Sequence, residues 1–139
     1  MDLGKSRVFI ASDHAGYFLK KFLIDNLQLV DLGTDTPEKS VDYNDYAKLL
    51  IKNVLEDARG ILICKTGIGM SIAANRYRRI RAALCYDVDS AKMTREHNNA
   101  NVLVLSSNVK NPLKIVYTFI ITQFSNEERH IRRTNKLDL

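Results

Sequence analysis

The sequence is poor in the residues and segments that mark several classes of protein. It contains two cysteines and three histidines in 139 residues, and a continuous apolar run of about eighteen residues, the length that would span a membrane, is missing. Two cysteines are too few for a disulfide framework and fit a reducing compartment. The first residues also lack the apolar core of a secretory signal. We therefore expect a cytoplasmic protein with no membrane partner.

Positive charge is in modest excess and is concentrated in two segments. The formal net charge is +5, with basic clusters at 76–81 and 129–136. Each cluster fits a solvated face, a nucleic-acid patch or a site for a small phosphate. Aromatic residues are not interleaved with the basic ones, apart from Tyr77. We therefore expect no nucleic-acid partner.

Apolar runs and helical patterns alternate along the chain, without an internal repeat or a linker. Short apolar runs predict strands, and apolar residues at helical spacing predict helices. Strands are predicted at 7–12, 29–31, 61–64, 82–85 and 102–105. Helices are predicted at 17–28, from 43 or 44 to 55, at 70–74, at 90–97 and at 112–124. Pro112 opens the last of these at a position that helices tolerate.

Repeated strand-helix units with nearly continuous apolar strands indicate a parallel sheet covered on both faces. We expect one domain over residues 1–139. Its fold would be α/β, a doubly wound (Rossmann-like) parallel sheet of about five strands with helices on both faces and a C-terminal helical tail. Such sheets bind ligands at the carboxyl ends of their strands. The polar residues predicted there lie at 13–14, 33, 64–71, 87 and 106–108.

The segment after the third predicted strand carries the strongest chemical signal. It reads Cys64-Lys65-Thr66-Gly67-Ile68-Gly69-Met70-Ser71. Glycines let backbone N–H groups approach a ligand, and the first turn of the following helix directs unpaired donors to the same point. A base or nucleophile at Cys64 would thus lie beside groups that stabilise negative charge. A buried cysteine and a turn that needs glycine only for its backbone conformation fit equally well, and Cys85 is assigned to packing.

Two other function classes use some of the same residues. A nucleotide-binding module would hold a pyrophosphate at the turn and a ribose at Asp87, but Ile72 stands where the dinucleotide fingerprint has its third glycine. A metal-dependent isomerase would use Asp13, His14 and His97 as ligands, although their spacing is not typical of a metal site. We expect no metal and no other cofactor.

Six segments together resemble the sugar-phosphate isomerase family that contains ribose-5-phosphate isomerase B and galactose-6-phosphate isomerase. They lie at 11–17, 42–47, 63–75, 80–85, 95–103 and 129–133. The resemblance covers nearly the whole chain in order. It implies interconversion of ribose 5-phosphate and ribulose 5-phosphate through an enediolate, with a six-carbon aldose 6-phosphate as the alternative substrate. It also implies a homodimer or a tetramer in which subunits share the site.

The resemblance assigns roles to individual residues. Cys64 would carry the proton between C2 and C1, His97 would assist ring opening, and Thr66 would belong to the same catalytic group. The substrate-binding residues that it implies are Asp13, His14, Tyr43, Gly67, Gly69, Ser71, Asn98, Arg129 and Arg133. Four of these residues also have a plain structural interpretation: Asp13 as the N-cap of the first helix, Tyr43 as a packing aromatic, and the two arginines as a solvated tail.

Three positions depart from the family pattern. Lys65 stands where a glycine is usual, and its ammonium could support a thiolate at Cys64 or simply face solvent. Asn108 replaces an arginine that contacts the phosphate in many members, so one anchor is missing unless Arg76 or Lys110 compensates. Asn44 replaces a common proline and should only loosen a loop.

Overall fold

The computed structural model describes residues 7–55 and 58–138. In these ranges the strands are β1 (Val8–Ser12), β2 (Val30–Asp31), β3 (Arg59–Cys64), β4 (Ala82–Leu84) and β5 (Val102–Ser106). The helices are α1 (Tyr17–Asn26), α2 (Tyr43–Val54), α3 (Ile68–Ala74), α4 (Val88–Asn98), α5 (Pro112–Ile121) and α6 (Glu128–Asn135). None of the helices described in these ranges is long and apolar enough to cross a membrane.

All five strands are parallel and form one sheet in the order β2-β1-β3-β5-β4. Two buried apolar clusters flank the sheet. One joins side chains of α1, α4 and α5 to one face, and the other joins side chains of α2 and α3 to the opposite face. The predicted α/β fold, with a parallel sheet covered on both faces and a C-terminal helix, is confirmed.

Local contacts at the helix ends explain why three of the predicted helix boundaries were wrong. α4 begins at Val88 rather than at residue 90, because Asp87 and Ser90 form a capping box in which the Asp87 carboxylate accepts from the Ser90 N–H at 2.7 Å. α5 ends at Ile121 rather than at 124, because the Arg95 guanidinium binds the carbonyl of Thr122 at 3.0 Å. Similarly, α1 stops at residue 26, two residues early, because the next residue is extended and buried in the core.

The parallel strands give the sheet two distinct edges, which we call the carboxyl edge and the amino edge. Cys64 lies opposite Ser106 at the carboxyl edge, and Gly60 lies opposite Val102 at the amino edge. A strand rises about 3.3 Å per residue, so the four steps from Gly60 to Cys64 separate the two levels by roughly 13 Å.

The helices run back from the carboxyl edge, so α4 ends at the amino edge. Asn101, just beyond α4, accepts a hydrogen bond from the Gly60 N–H at 3.0 Å. The segment before α6 is tied to the same place, since the Ser125 N–H donates to the carbonyl of Glu96 at 3.1 Å. α6 then packs against α4. The C-terminal helix is therefore far from Cys64 within one chain.

Candidate active site

The strand order creates a crevice between the ends of β1 and β3. The strands that neighbour β1 are β2 on one side and β3 on the other, which is the topological switch point at which open α/β sheets bind ligands. The Asp13 N–H donates to the carbonyl of Ile63 at 3.2 Å, so Asp13 lies beside the end of β3. Its buried carboxylate accepts from the N–H of Gly16 at 3.1 Å, just before α1. The structural interpretation of Asp13 as the N-cap was wrong, because the N-cap of α1 is Gly16, and the Asp13 carboxylate instead binds the N–H of that residue.

Gly67 forms the turn between β3 and α3, where any residue with a side chain would be strained. Its φ is +81°, in the left-handed region that favours glycine. A Cβ on it would also lie 2.5 Å from the Leu84 side chain and 3.3 Å from the backbone of Leu105. The Thr66 hydroxyl, next to this turn, accepts from the N–H of Ile68 at 3.2 Å, and its own hydrogen remains available to a ligand.

The start of α3 presents a smaller set of donors than the sequence predicts. The Ser71 N–H donates to the Gly67 carbonyl at 3.0 Å, and the Ile68 N–H is bound to Thr66. Among the residues that the structure describes, no acceptor faces the N–H groups of Gly67, Gly69 and Met70. The helix and its cap therefore use two of the five N–H groups from 67 to 71. At Ser71 only the side chain remains available.

Tyr43 lies against this turn. A Cβ on Gly69 would come within 2.7 Å of the Tyr43 ring, so the glycine lets α2 bring the ring close to α3. Tyr43 also packs against the apolar cluster that contains Cys64. Both of the interpretations weighed for Tyr43, packing and pocket lining, are compatible with this position.

Cys64 ends β3 as a buried residue, 5% exposed, and belongs to the same apolar cluster as Met70. Cys85 has a different environment, because it lies in the cluster on the opposite face. There burial raises the pKa of the Cys85 thiol to about 11, and the hydrogen bond with Ser90 only partly opposes that rise. The assignment of Cys85 to packing is confirmed.

Of the two unusual residues, Lys65 contacts the loop after β5, and Asn108 belongs to that loop and contacts the end of β5. The carbonyl of Lys65 accepts from the N–H and the hydroxyl of Ser107, at 3.2 and 3.1 Å, while its side chain is exposed. The side-chain oxygen of Asn108, also exposed, accepts from the Ser106 hydroxyl at 3.1 Å. The backbone of Lys65 thus holds the two loops of the carboxyl edge together.

His14 completes the set at the carboxyl edge. Its Nδ1 accepts from the N–H of Val41 at 3.1 Å, which places the ring beside the loop that leads into α2. The structure therefore brings together eight of the predicted residues at this edge: Asp13, His14, Tyr43, Cys64, Thr66, Gly67, Gly69 and Ser71.

The four other predicted residues lie at the amino edge of the same chain. His97 and Asn98 end α4, and Arg129 and Arg133 lie exposed on α6. Arg129 pairs with Glu127 at 3.0 Å. One chain therefore holds two separate groups of candidate residues, one at each edge of its sheet.

His130 joins the second group, although no role was predicted for it from the sequence. Its ring contacts that of His97, with centroids 4.5 Å apart. Burial, followed by the charges of Arg129 and His97, lowers the pKa of His130. Its position between the two arginines in a short basic helix was the available signal, but only the folded chain shows its contact with α4.

Within a single chain, the residues of the two rival interpretations have other partners or lie apart. Asp87, the ribose ligand of a nucleotide module, caps α4, and the hydrogen bond from the Ser90 N–H lowers the pKa of its carboxyl group. In the metal alternative, His97 lies at the amino edge while Asp13 and His14 lie at the other. Within residues 7–55 and 58–138 there is no group of three or more His, Cys, Asp or Glu side chains that could hold a metal ion.

Comparisons with a family model and with a known protein point to the same family. The family model described as Ribose/Galactose Isomerase matches residues 8–137. Ribose-5-phosphate isomerase B of Escherichia coli is 39% identical over 110 residues, which cover 74% of this chain and 73% of that protein.

Two solved structures extend the comparison to the fold. The crystal structure of a ribose 5-phosphate isomerase from Thermotoga maritima is 46% identical with a TM-score of 0.92, and the match covers 97% of this chain and 99% of that one. Ribose-5-phosphate isomerase B from Mycoplasma genitalium, with bound ribulose-5-phosphate, is 39% identical with a TM-score of 0.89 over 96% and 94% of the two chains. Both the sequence and the fold of this chain therefore place it in the ribose/galactose isomerase family.

Proposed function

We propose that this chain is an aldose-ketose isomerase that interconverts ribose 5-phosphate and ribulose 5-phosphate. The observation that carries the proposal is the position of Cys64 at the end of β3, beside three open backbone N–H groups at the start of α3. A base next to such donors is what an enediolate intermediate requires. Family membership and the ribulose-5-phosphate bound to the Mycoplasma relative support the choice of substrate.

In the proposed reaction the Cys64 thiolate removes the proton from C2 of the open-chain aldose. The electrons move into the carbonyl, and the enediolate oxygens accept hydrogen bonds from the N–H groups of Gly67, Gly69 and Met70. The thiol then returns the proton to C1, while the proton of the C2 hydroxyl passes to the oxygen on C1, which yields the ketose. The Thr66 hydroxyl can donate its hydrogen to the same oxygens, because its own lone pair already accepts from Ile68.

The second group of residues must come from another copy of the chain. His97, which we propose for ring opening, is at the amino edge, roughly 13 Å of strand away from the level of Cys64. We propose a homodimer in which the amino edge of one copy faces the carboxyl edge of the other, and a tetramer would be a pair of such dimers. Each pocket would then contain Cys64 of one copy and His97 of its partner.

Phosphate binding would use both groups as well. Arg129 and Arg133 are one helical turn apart on α6 and are exposed, so their guanidinium groups can bind one anion together. We propose that they hold the phosphate with His14 of the neighbouring copy, while Asn98 binds the sugar. Asn108 cannot supply the charge of the arginine that it replaces.

The direct test compares the two cysteines. Cys64→Ala should lower the rate of ribose 5-phosphate isomerisation by about a hundred- to ten-thousandfold while substrate still binds. Cys85→Ala is the matched control, and it should alter stability more than rate. Turnover of Cys64→Ala within a few fold of wild type would refute the proposal.

Substrate choice needs a separate assay. Ribose 5-phosphate should be preferred over six-carbon aldose 6-phosphates, and addition of EDTA should leave the rate unchanged. A preference for the six-carbon sugars would keep the mechanism but change the substrate. Saturable binding of NAD or FMN in calorimetry, without isomerase activity, would favour the nucleotide-binding alternative instead.

A further inference from the structure

His130 is a buried histidine to which the proposed reaction gives no task. Only 6% of its surface is exposed, whereas its neighbours Arg129 and Ile131 are exposed. Its ring faces that of His97, with the centroids 4.5 Å apart and the planes tilted by 37°. Rings at this distance are in contact, so each limits the orientation of the other.

Ser125, in the loop between α5 and α6, fixes the His130 ring. The Ser125 Oγ lies 2.8 Å from Nδ1 of His130 and accepts from the N–H of Glu127 at 3.3 Å. A serine hydroxyl has one hydrogen and two lone pairs, so after accepting from Glu127 it can either donate to Nδ1 or accept from an Nδ1–H. Either arrangement limits the rotation of the His130 ring.

The same serine is bound to the helix that carries His97. The Ser125 N–H donates to the carbonyl of Glu96, the residue before His97, at 3.1 Å. The Ser125 N–H thus binds Glu96, the Ser125 hydroxyl binds His130, and the His130 ring contacts His97. Because His97 follows Glu96 in the chain, these contacts link all four residues. We call these four residues the histidine clamp.

Burial and the neighbouring charges favour the neutral form of His130, because together they lower its pKa. Burial lowers its pKa, as do Arg129 and His97 and, more weakly, Arg133, while Glu127 raises it. The Glu127 carboxylate is 3.6 Å from Nδ1, but it also pairs with Arg129 at 3.0 Å. A neutral His130 adds no further positive charge beside the arginines of α6.

We propose that His130, held by Ser125, is a positioning residue that orients the His97 ring for opening of the sugar. This inference rests on the proposed function and adds a residue pair to it. His130 supports His97 through ring contact and needs no contact with substrate. A His97 ring free to rotate would deliver its proton to the ring oxygen less often, and only reactions that begin from the closed sugar would be slowed.

The test uses initial rates in both directions, because ribulose 5-phosphate cannot close to a furanose. His130→Ala should lower kcat for ribose 5-phosphate by about tenfold or more, since a small misplacement of a reacting group costs that much. Its KM, and its rate with ribulose 5-phosphate, should stay within about threefold of wild type. Ser125→Ala should show a smaller loss with the same direction. The control is Arg132→Ala, on the same helix but exposed and outside the proposed pocket, which should match wild type.

Three results would overturn the positioning role. Equal losses of kcat in both directions would indicate general damage. An increased KM with unchanged kcat would mean that His130 only supports the arginines of α6. Rates like those of wild type in both His130→Ala and Ser125→Ala would remove the role altogether. Circular dichroism confirms folding of each variant, and Ser125→Ala retains the buried ring if His130→Ala does not fold.

NMR tests the clamp independently of turnover. The wild-type spectrum should show a neutral His130 ring at pH 7, and His130→Ala should remove the upfield ring-current shift of the His97 ring protons. A protonated His130, or His97 shifts unchanged by the substitution, would contradict the clamp. Wild-type protein with an intact clamp but no isomerase activity would contradict the proposed function instead.

Discussion

Gly67 and Gly69 lie two residues apart, yet a side chain would meet a different obstacle at each. At Gly67 the backbone is left-handed and a Cβ would press on both the Leu84 side chain and the Leu105 backbone. At Gly69 the nearest atoms all belong to the Tyr43 ring. A ring can move or be removed, whereas the backbone cannot. A second substitution should therefore reduce the loss of stability caused by Gly69→Ala but not the loss caused by Gly67→Ala.

We expect Gly67→Ala to lower the free energy of unfolding by at least about 1–2 kcal/mol, the cost of a left-handed alanine. Adding Leu84→Ala should not restore it. The cost of Gly69→Ala should instead fall when Tyr43→Ala is added. Urea unfolding of the two double-mutant cycles measures both quantities. Rescue of Gly67→Ala by Leu84→Ala would show that backbone conformation is not the cause.

His97 offers a second prediction at this scale. His97→Asn should reduce turnover of ribose 5-phosphate by about a hundredfold or more and affect the reverse reaction much less, because only the aldose enters as a closed ring. Initial rates in each direction, taken before product accumulates, measure the ratio. Comparable losses would indicate a direct part in proton transfer, or a structural role.

Among the elements, the short edge strand β2 is tied to α1 by an ion pair between a buried lysine and an exposed aspartate. Lys20 of α1 is fully buried, and its ammonium donates to both carboxylate oxygens of Asp31, at 2.8 and 3.0 Å. Asp31 also accepts from the N–H of Gly33 at 2.9 Å. Removal of one partner leaves a buried charge, which is the costly way to break such a pair.

Asp31→Ala should therefore lower the free energy of unfolding by about 3 kcal/mol, with the ammonium of Lys20 left unpaired. Lys20→Met in the same background should recover part of the loss, because a buried apolar chain replaces the unpaired charge. Chemical unfolding of the single and double variants measures both effects. A loss under about 1 kcal/mol for Asp31→Ala would mean that water replaces the carboxylate.

The free energy of unfolding should depend on pH through His130 of α6. Because folding lowers the pKa of His130, the unfolded chain binds the proton first, near pH 6.5. The contribution of His130 to stability is complete above that pH and is lost as the pH falls through it toward the lower folded value. His130→Phe, which keeps a ring, should flatten the dependence of the urea midpoint on pH between about 8 and 5.5. Parallel curves for the two proteins would assign the dependence to other groups.

The sequence predicted the strands and helices better than it predicted the residues at which they begin and end. Apolar runs place the strands because those residues are buried on both faces, and Cys64 could be identified from its neighbours in the chain. The end of α5, by contrast, depends on a guanidinium that reaches Thr122 from another helix. Likewise, the contact of His130 with His97 joins residues that no periodicity relates. Family resemblance supplied the roles of His97 and the arginines, which spacing alone did not.

For the whole molecule, the division of candidate residues between two edges predicts complementation between defective chains. A mixture of Cys64→Ala and Arg133→Ala protein would form hybrid dimers in which one pocket carries both defects and the other carries none. Activity of those hybrids should approach half that of wild type. Mass spectrometry confirms that hybrids are present. No recovery in such a mixture would place Cys64 and Arg133 in the pocket of a single chain.

The distance between the ends of β3 and α4 has a consequence for how the protein behaves on dilution. A chain on its own would carry a base without the group that opens the sugar, so a monomer would hold two half-pockets and no whole one. Specific activity would then fall as the protein is diluted below its dimer dissociation constant, and substrate that bridges the two copies would shift that constant downward. The specific activity of a sample would thus depend on the concentration of the protein itself.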